Sequence, residues 1–544
     1  MPAPAGPLEQ DLDMYVAAYM PAMNAPGLTL GLTDVTATRR VACYGYANLD
    51  LRTPLTPDHL FQIGSITKSF VALVILQLHD EGKLDLHRPV LDYLPELPIV
   101  AEFGPVTAHH LLNHTSGLPD DSALFQPDSS ARLVQGFAPG SHFHYCNPAF
   151  VILGLLAEML DGRPWRVLLQ ERILKPLGMT QTSPVLTPAI RATTATSYDA
   201  FREDQVYPRQ GRLAPAPNLV TDETDGCIAS TPGDMARYAR MLAAHGQGPS
   251  GRIVSQESFT LLSTPYIKAP EFSPTASYGY GIAVDTLDGH KILRHTGGMI
   301  GFASSIHVDL DGGVAAFASI NAMQGYRPID VTQYAVRLLR AEREAKLLPL
   351  PPAIADPCAV DNAADYAGTF TAPDGRSLVF VAKEKRLSVI DGDIVVPLQH
   401  NGGGHFISTL PGFFADHTFV FGREAAPAGS SSSAPQPVVE VAYGPDWYAG
   451  AAWDGPRSFA VRADYALYAG RYQSDNIWAG EALVYVLKDR LMADGEPLTP
   501  LGGHLFRVGD ESWIPDTVEF LHIVEGKARM MRAGGLAYRR VDLG

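Results

Sequence analysis

The C-terminal part of this 544-residue chain contains an internal repeat, which restricts its fold more than any other feature. YAGTF at 366–370 recurs as YAGRY at 468–472, LVFVAKEKRLSVIDG at 378–392 resembles LVYVLKDRLMADG at 483–495, and GGHF at 403–406 resembles GGHLF at 502–506. The three matches keep the same order at similar offsets. Short strand-like segments at regular spacing are typical of barrels, so the repeat predicts two β-barrel-like units of about 100 residues each.

Residues 8–345, before the repeat, alternate helical and strand-like patterns. GLTLGLTD and RRVACYGYANLD predict a strand hairpin, and residues 66–82 and 150–162 predict two apolar helices. Near the end of this region, YGYGIAVD, KILRHTGG, FASSIHVD and VAAFASIN predict successive strands with turn residues between them. Strands at both ends with helices between them predict an α/β domain whose sheet pairs its first and last strands.

A proline-rich segment, KLLPLPPAIADP, separates the two patterns at residues 346–357. Since a chain of this length exceeds what one hydrophobic core can hold, separate domains are expected. We predict an α/β domain over residues 1–345, a linker over 346–358, and two barrel domains over 359–455 and 456–544.

The net charge of −16 disfavours nucleic acid and anionic membranes as partners, because both would repel an acidic protein. The N-terminal residues contain no basic run followed by a continuous apolar stretch, and no segment has 18 uninterrupted apolar residues. If Met1 is the native start, a cytoplasmic location without membrane contact is the default expectation. The four cysteines form no CxxC pair and are expected to be packing groups.

The stretch GSITKSFVALVILQLHDEGKLDL at 64–86 places a Ser-x-x-Lys pair at the start of an apolar helix. The pair alone is weak evidence, since about two copies are expected by chance in a chain of this length. The context is stronger, because Ser65 follows a glycine at a helix N-terminus, where N–H groups and the helix dipole favour negative charge. Lys68 follows about one turn later and can reach the Ser65 hydroxyl. The alternative is an ordinary helix start with a lysine that extends to solvent.

Two further stretches supply groups that would complete a nucleophilic site. FAPGSHFHYCNPAFVILG at 137–154 places Tyr145 and Asn147 just before a helix. A tyrosine there can act as a general base, and the asparagine can hold Lys68 and a substrate carbonyl. RHTGGMIGF at 294–302 predicts a strand whose glycines allow a substrate to lie against its edge. The backbone N–H of Gly298 can join that of Ser65 in an oxyanion hole.

Taken in order, GSITK, YCN and HTGG resemble the three active-site motifs of serine β-lactamases and penicillin-binding-protein relatives. Tyr-x-Asn and the histidine of the third motif resemble the class C-like branch, which holds D-aminopeptidases, D-Ala-D-Ala carboxypeptidases and esterases. LLNHTSGL at 111–118 and YGYG at 278–281 also resemble signatures of that family. The resemblance covers residues 8–345. It implies a β-lactamase-like α/β (α+β) domain, with an antiparallel sheet flanked by helices, followed by two all-β, lipocalin-like barrels.

The resemblance implies acyl transfer, with Ser65 as the nucleophile and with Lys68 and Tyr145 moving its proton. Asn147 would position the substrate, and the backbone amides of Ser65 and Gly298 would bind the oxyanion. The other residues implied for substrate or oxyanion binding are His295 and Gly297. The resemblance implies no cofactor and no metal, and a small molecule or short peptide as the substrate. The oligomeric state stays open, with a homodimer as one option.

The third motif departs from the Lys-Thr-Gly that is commoner in the family, because His295 replaces the lysine. Histidine is largely neutral at pH 7, so it supplies no permanent cation for a substrate carboxylate. That disfavours β-lactamase and carboxypeptidase activities. The two barrels resemble the layout of bacterial D-aminopeptidases, in which a loop from the last barrel enters the active-site mouth. QSDNIWAGE at 473–481 is the candidate for that loop, with an ordinary hairpin loop as the alternative.

The sequence therefore favours a serine hydrolase of amide or peptide bonds, an aminopeptidase or amidase that accepts D- or other unusual residues. A carboxylesterase of short acyl esters would use the same residues. A non-catalytic β-lactamase-like scaffold or sensor is the alternative from another class. The four intact motif residues, Ser65, Lys68, Tyr145 and Asn147, argue against the scaffold.

Two nearby signals are expected to be structural. His110 and His114 are spaced as in some helical zinc sites, but no glutamate occupies the position that a metalloprotease needs. The LLNHTSGL signature accounts for His114 without a metal. Cys146 lies between two motif residues, and strand alternation would turn its side chain away from them. We do not expect it to be a nucleophile.

Overall fold

The computed structural model describes residues 6–120, 132–201, 205–322, 328–424 and 436–541. These residues divide into two compact units. The described parts of Met1–Asp199, Ala214–Ala353 and Ser512–Asp516 form the first unit, and those of Ala200–Leu213, Ile354–Glu511 and Thr517–Gly544 form the second. The predicted domain boundaries and the linker over 346–358 stay predictions.

The first part of the chain is built on an antiparallel sheet. Its strands, with the short strands around them, are β1 (Gly27–Asp34), β2 (Thr38–Asn48), β3 (Thr53–Pro54), β4 (Phe61–Gln62), β5 (Ile99–Val100), β6 (Leu133–Val134), β7 (Tyr198–Ala200), β8 (Leu213–Pro215), β9 (Ala229–Ser230), β10 (Gln247–Gly248), β11 (Gly251–Arg252), β12 (Ile267–Lys268), β13 (Ser277–Tyr278), β14 (Ala283–Leu287), β15 (His290–Met299), β16 (Phe302–Asp309) and β17 (Val314–Ile320). Over the described residues, the main sheet has the order β12-β13-β14-β15-β16-β17-β1-β2-β3. Leu28 of β1 pairs with Ile320 of β17, so the prediction that the first and last strands pair is confirmed.

Helices cover this sheet. Their bounds are α1 (Pro7–Ala22), α2 (Thr67–Asp80), α3 (Ala108–Leu112), α4 (Asn147–Asp161), α5 (Trp165–Leu169), α6 (Lys175–Leu177), α7 (Pro232–Ala243), α8 (Gln256–Leu262) and α9 (Ile329–Arg343). Helix α7 packs against β1 and β17, and α9 packs against β16 and β17. Every residue of β1, β16 and β17 is buried, as expected for strands that are covered on both faces. The predicted antiparallel sheet flanked by helices is confirmed. Within the described ranges, no helix combines the length and the apolar character that crossing a membrane requires.

Helix α2 lies in the centre of the hydrophobic core. The side chains from Phe70 to Leu76 have no exposed surface, which explains why this helix is apolar on all sides. Phe70 stacks on Tyr238 of α7 with ring centroids 3.7 Å apart. The helix ends at Asp80, and Gly82 follows with a φ of +69°, close to the end that the sequence predicts.

The repeat in the C-terminal part folds into two closed barrels, as predicted. The strands of the first barrel are β18 (Gly368–Thr371), β19 (Ser377–Lys383), β20 (Arg386–Asp391), β21 (Ile394–His400), β22 (His405–Ser408), β23 (Phe419–Arg423), β24 (Val438–Tyr443) and β25 (Asp446–Ala449). Those of the second are β26 (Gly470–Gln473), β27 (Glu481–Leu487), β28 (Arg490–Ala493), β29 (Glu496–Gly502), β30 (Leu505–Val508), β31 (Thr517–Val524), β32 (Lys527–Ala533) and β33 (Leu536–Val541), preceded by α10 (Tyr465–Tyr468). Pairing of β18 with β25 closes one barrel, and pairing of β26 with β33 closes the other. Alternate residues point inward, such as Leu378 and Phe380 of β19, so side chains fill each interior.

Lys488 of the second barrel contacts side chains of the first barrel. Lys488, in the turn between β27 and β28, places its amine 4.8 Å from the ring centre of Trp453 and 5.4 Å from that of Trp447. The ring of Phe459 lies 5.9 Å from the same amine. Glu440 forms an ion pair with it at 2.5 Å. A cation that is enclosed by aromatic faces and a carboxylate is held more strongly than an exposed ion pair.

Replacing Lys488 with alanine should therefore destabilise the barrels. We expect Lys488→Ala to lower the free energy of unfolding by about 1–3 kcal/mol, because it removes the cation–π contacts and leaves Glu440 without its cation. Tryptophan fluorescence during urea denaturation measures the change. Lys383→Ala, at an exposed position of β19, is the control and should stay within about 0.5 kcal/mol of wild type. Equal effects of the two substitutions would show that the contacts of Lys488 do not stabilise the barrels.

Candidate active site

Ser65 lies in a tight turn that leads into α2. The turn spans Gly64–Ile66, in which Ser65 is partly exposed while the residues on either side are buried. Gly64 has a φ of +52°, which a residue without a side chain adopts without strain. A Cβ at Gly64 would lie 2.6 Å from the backbone nitrogen of Gly298. The turn therefore brings the Ser65 segment against strand β15, and the contact requires glycine at position 64.

Lys68 follows one turn later and is fully buried. Its amine donates hydrogen bonds to three oxygens: Ser65 Oγ at 3.2 Å, Asn147 Oδ1 at 2.7 Å, and the Asp225 carbonyl at 2.9 Å. A buried amine is costly unless its donors are satisfied, and these three acceptors meet that requirement. The structure thus brings Asn147 of the second motif together with Ser65 and Lys68 of the first.

Tyr145 and Asn147 flank the start of α4. The ring centre of Tyr145 lies 5.0 Å from the Lys68 amine. Burial raises the pKa of the Tyr145 phenol, although the Lys68 amine and the Ser65 hydroxyl act in the opposite direction. The phenol is therefore protonated at neutral pH in the resting site. Cys146, between the two motif residues, is buried, and burial raises the pKa of its thiol well above the ordinary value. This fits the expectation that Cys146 is not a nucleophile.

His295 of the third motif is buried in the wall of the site. Its Nδ1 donates to the Thr296 carbonyl at 2.6 Å, so Nε2 accepts from the Tyr278 hydroxyl at 2.8 Å. Burial lowers the pKa of His295 to about 3, against the hydrogen bond to Thr296. The ring is therefore neutral at pH 7, as the sequence indicated, and both nitrogens are paired inside the protein. A contact between His295 and substrate stays a prediction.

Gly297 and Gly298 have different surroundings. Gly297 is buried, and a Cβ there would lie 1.8 Å from the Ile63 carbonyl oxygen. Gly298 is partly exposed beside the Ser65 turn. Gly297 therefore allows the close approach of two backbone segments, whereas the role of the Gly298 N–H in an oxyanion hole stays a prediction.

His114 has the structural role that the sequence indicated. It is fully buried with a φ of +57°, and its Nδ1 accepts the backbone N–H of Cys146 at 3.0 Å. Its ring stacks on Tyr145 with centroids 4.3 Å apart. Burial, followed by the Lys68 charge, lowers the pKa of His114 well below its ordinary value. A neutral His114 thus fixes the backbone and the ring of the second motif. His110 instead bonds to Thr107 in the cap of α3.

Sequence reasoning missed two acidic contributions to the site. Asp120 accepts the backbone N–H of Asn147 at 2.8 Å and its side-chain amide at 3.3 Å. The segment from Asp222 to Asp225 supplies the carbonyl that binds Lys68. Within it, burial and then the Asp225 and Asp222 carboxylates raise the pKa of Glu223 to about 7. Asp120 lies two residues after the end of LLNHTSGL, so extending that signature by two residues would have found it. A backbone carbonyl leaves no signal in the sequence.

A segment from the C-terminal part of the chain belongs to the first unit. It is Ser512–Asp516, between β30 and β31, whereas the candidate loop at 473–481 lies in the second unit. The Trp513 ring stacks on His142 with centroids 4.6 Å apart and an interplanar angle of 4°. A Cβ at Gly136 would lie 2.3 Å from the Trp513 carbonyl oxygen. The expectation of a loop from the last barrel therefore applies to a different segment from the one that the sequence suggested.

Comparisons with known proteins agree with this geometry. A protein-family model described as Beta-lactamase matches residues 12–340, more than half of the chain. Penicillin-binding protein 4 of Amycolatopsis lactamdurans is 31% identical over 280 residues, which are 48% of this chain and 72% of that protein. The D-aminopeptidase of Brucella canis is 29% identical over 310 residues, which are 54% of this chain and 55% of that protein. Among solved structures, the octameric penicillin-binding protein homologue from Pyrococcus abyssi has a TM-score of 0.56 at 25% identity, covering 76% of this chain and 96% of that one.

The raised pKa of Glu223 predicts how stability depends on pH. Because folding favours the protonated carboxyl, wild-type stability should fall as the pH rises from about 4.5 to about 7. Glu223→Gln removes that loss, so the variant should be more stable than wild type at pH 8, by roughly 1–3 kcal/mol, and no more stable at pH 4. Urea denaturation at several pH values measures the difference.

Glu96→Gln is the matched control, because Glu96 is exposed in a loop of the same unit. Its effect should be small and should not change between pH 4 and pH 8. A Glu223→Gln variant with the same stability difference at both pH values would show that the carboxyl titrates normally.

Proposed function

This chain belongs to the beta-lactamase family, and from that premise we propose that it is a serine hydrolase of amide or peptide bonds. In the proposal it acts through an acyl-enzyme as an aminopeptidase or amidase that accepts D- or other unusual residues. The observation that carries the proposal is the Lys68 amine, which bonds to both Ser65 Oγ and Asn147 Oδ1. A nucleophile, a proton acceptor and an amide group in mutual contact are what acyl transfer needs.

In the proposed reaction, the pair formed by Lys68 and Tyr145 reacts with one proton fewer than its fully protonated form, so that it can accept one. Ser65 Oγ forms a bond to the substrate carbonyl carbon as its proton passes to this pair. The carbonyl electrons move onto oxygen, where the backbone amides of Ser65 and Gly298 would stabilise the charge. The same pair then gives a proton to the leaving nitrogen as the C–N bond breaks. Water attacks the remaining ester and releases the acid. A protonated Tyr145 phenol suits the donor role, because an amine leaves only when its nitrogen is protonated.

The charges around the site support a substrate with a free amine. His295 is neutral at pH 7, so it supplies no cation to grip a substrate carboxylate. Carboxyl groups lie nearby instead, at Glu223 and Asp225 in one segment and at Asp120 and Asp516 in contact with each other. An ionised carboxyl group attracts an ammonium group and repels a carboxylate, and a nearby ammonium group favours the ionised form. We therefore favour cleavage beside a free amino end over carboxypeptidase activity.

A substrate panel with active-site variants tests the proposal. The panel holds the 4-nitroanilides of D- and L-alanine and the 4-nitrophenyl esters of acetate and butyrate. Wild type should turn over an aminoacyl anilide, and Ser65→Ala, as the blank, should not. Lys68→Ala should lower kcat/KM by at least about 10³-fold on every substrate, because the nucleophile loses its proton acceptor. Circular dichroism checks that both variants fold.

Tyr145→Phe separates amide from ester hydrolysis. We expect it to cost at least about tenfold more in kcat/KM on anilides than on nitrophenyl esters, because nitrophenolate leaves without a proton. Turnover of the esters alone, with anilides untouched by wild type, would favour the carboxylesterase. If a fluorophosphonate probe labels wild type no more than Ser65→Ala and no substrate is turned over, the scaffold interpretation replaces ours.

A further inference from the structure

The Asp516 carboxylate contacts two residues that adjoin the second motif, one next to Tyr145 in the chain and one bonded to Asn147. Its Oδ1 accepts the backbone N–H of Asp120 at 2.8 Å, and its Oδ2 lies 3.2 Å from His144 Nε2 in an ion pair. Asp120 in turn binds Asn147, while His144 directly precedes Tyr145 in the chain. The Asp516 side chain thus supports the segment from Tyr145 to Asn147 at its start, through His144, and at its end, through Asp120.

The Asp120 carboxylate fixes which way the Asn147 carboxamide points. Its two oxygens accept the backbone N–H and the Nδ2–H of Asn147. The Asn147 oxygen is then directed away from Asp120 and accepts from the Lys68 amine at 2.7 Å. A rotated carboxamide would place its NH₂ group against the amine and its oxygen against a carboxylate, and both contacts are repulsive. Correct placement of Lys68 therefore depends on Asp120.

We propose that Asp516 is a positioning residue for the reaction of Ser65 and does not touch the substrate. It holds Asp120, which orients the Asn147 carboxamide. Asn147 in turn holds the Lys68 amine beside the nucleophile. The inference rests on the proposed function, since it assigns Asp516 to the acylation step of that reaction.

The charges are consistent with a permanent contact. Burial raises the pKa of Asp120, and the adjacent Asp516 carboxylate raises it further, against the hydrogen bond from the Asn147 N–H. Two neighbouring carboxyl groups need a cation to remain together. Burial lowers the pKa of His144, but the ion pair with Asp516 outweighs this and leaves the pKa raised. The protonated form of His144 is thus favoured by its position beside the Asp516 carboxylate.

The attachment of the segment and the role of its carboxylate can be separated. Trp513 stacks on His142 and lies edge-on to Phe137 with centroids 5.6 Å apart, so aromatic contacts hold the segment in place. Substitution of Asp516 alone leaves those contacts intact. A loss of activity in such a variant then reports on the carboxylate.

Kinetics of Asp516 variants test the proposal on the anilide substrates. Asp516→Ala removes both contacts and should lower kcat about tenfold or more with KM within about twofold, because substrate binding is not involved. Asp516→Asn keeps one acceptor oxygen for the Asp120 N–H and should fall between Asp516→Ala and wild type. Asp120→Asn should act on the same step, so the double variant Asp120→Asn/Asp516→Ala should be no worse than the slower single variant.

Glu511→Gln is the matched control, since Glu511 is an exposed carboxylate next to the same segment. Its kcat and KM should equal those of wild type. An increase in KM with unchanged kcat in Asp516→Ala would overturn the proposal in favour of direct substrate contact. Unchanged kinetics, or losses that multiply in the double variant, would overturn it as well.

A thermal double-mutant cycle tests the connection without any substrate. Asp516→Ala and Asn147→Ala do not alter groups in direct contact, yet their shifts in Tm should fail to add by about 2 °C or more, because Asp120 links the two residues. Additive shifts would overturn the connection. If wild type itself is inactive and unlabelled, the proposed function fails, while this cycle still decides whether Asp516 and Asn147 are coupled.

Discussion

The amine of Lys68 is the group on which the rest of the site depends. It lies near the start of a helix that is apolar and buried from Phe70 to Leu76, and it has no exposed surface. Such a group is tolerated only where acceptors surround it, and here the acceptors come from the Ser65 turn, from the start of α4 and from the Asp225 carbonyl. Satisfying one buried amine therefore fixes three separate segments of the chain around Ser65.

A second constraint is the distance between two backbones. The Ile63–Gly64 segment and the Gly297–Gly298 segment approach so closely that a Cβ on Gly64 or Gly297 would collide with main-chain atoms of the other segment. The approach gives the Ser65 turn a strand edge with a partly exposed amide at Gly298. The glycines of the first and third motifs thus serve one contact, and their positions along the chain follow from it.

The elements and residues that sequence analysis located are those whose signal is local. The apolar helix α2 and the residues Ser65, Lys68 and Asn147 each appear within a short stretch of sequence, and the repeat appears as short stretches that match each other. Asp225 contributes a carbonyl, which any residue type supplies, so its role carries no sequence signal. Asp516 contacts a residue 396 positions earlier in the chain, which no local pattern predicts. Its loop contains Trp513, but the loop at 473–481 also contains a tryptophan, Trp478, so the sequence does not favour either loop. Only the folded chain separates the two loops.

The position of Asp516 also changes what a family match means for this chain. The match ends at residue 340, yet the carboxylate that contacts Asp120 lies at residue 516. Relatives that are similar over the first part alone can keep Ser65 and Lys68 without this contact. The motif residues and the side chains around them can then diverge separately, because one of those side chains, that of Asp516, lies on a segment outside the matched residues. Similarity over the matched residues therefore places Ser65 in a family but does not describe every side chain that contacts the motif residues.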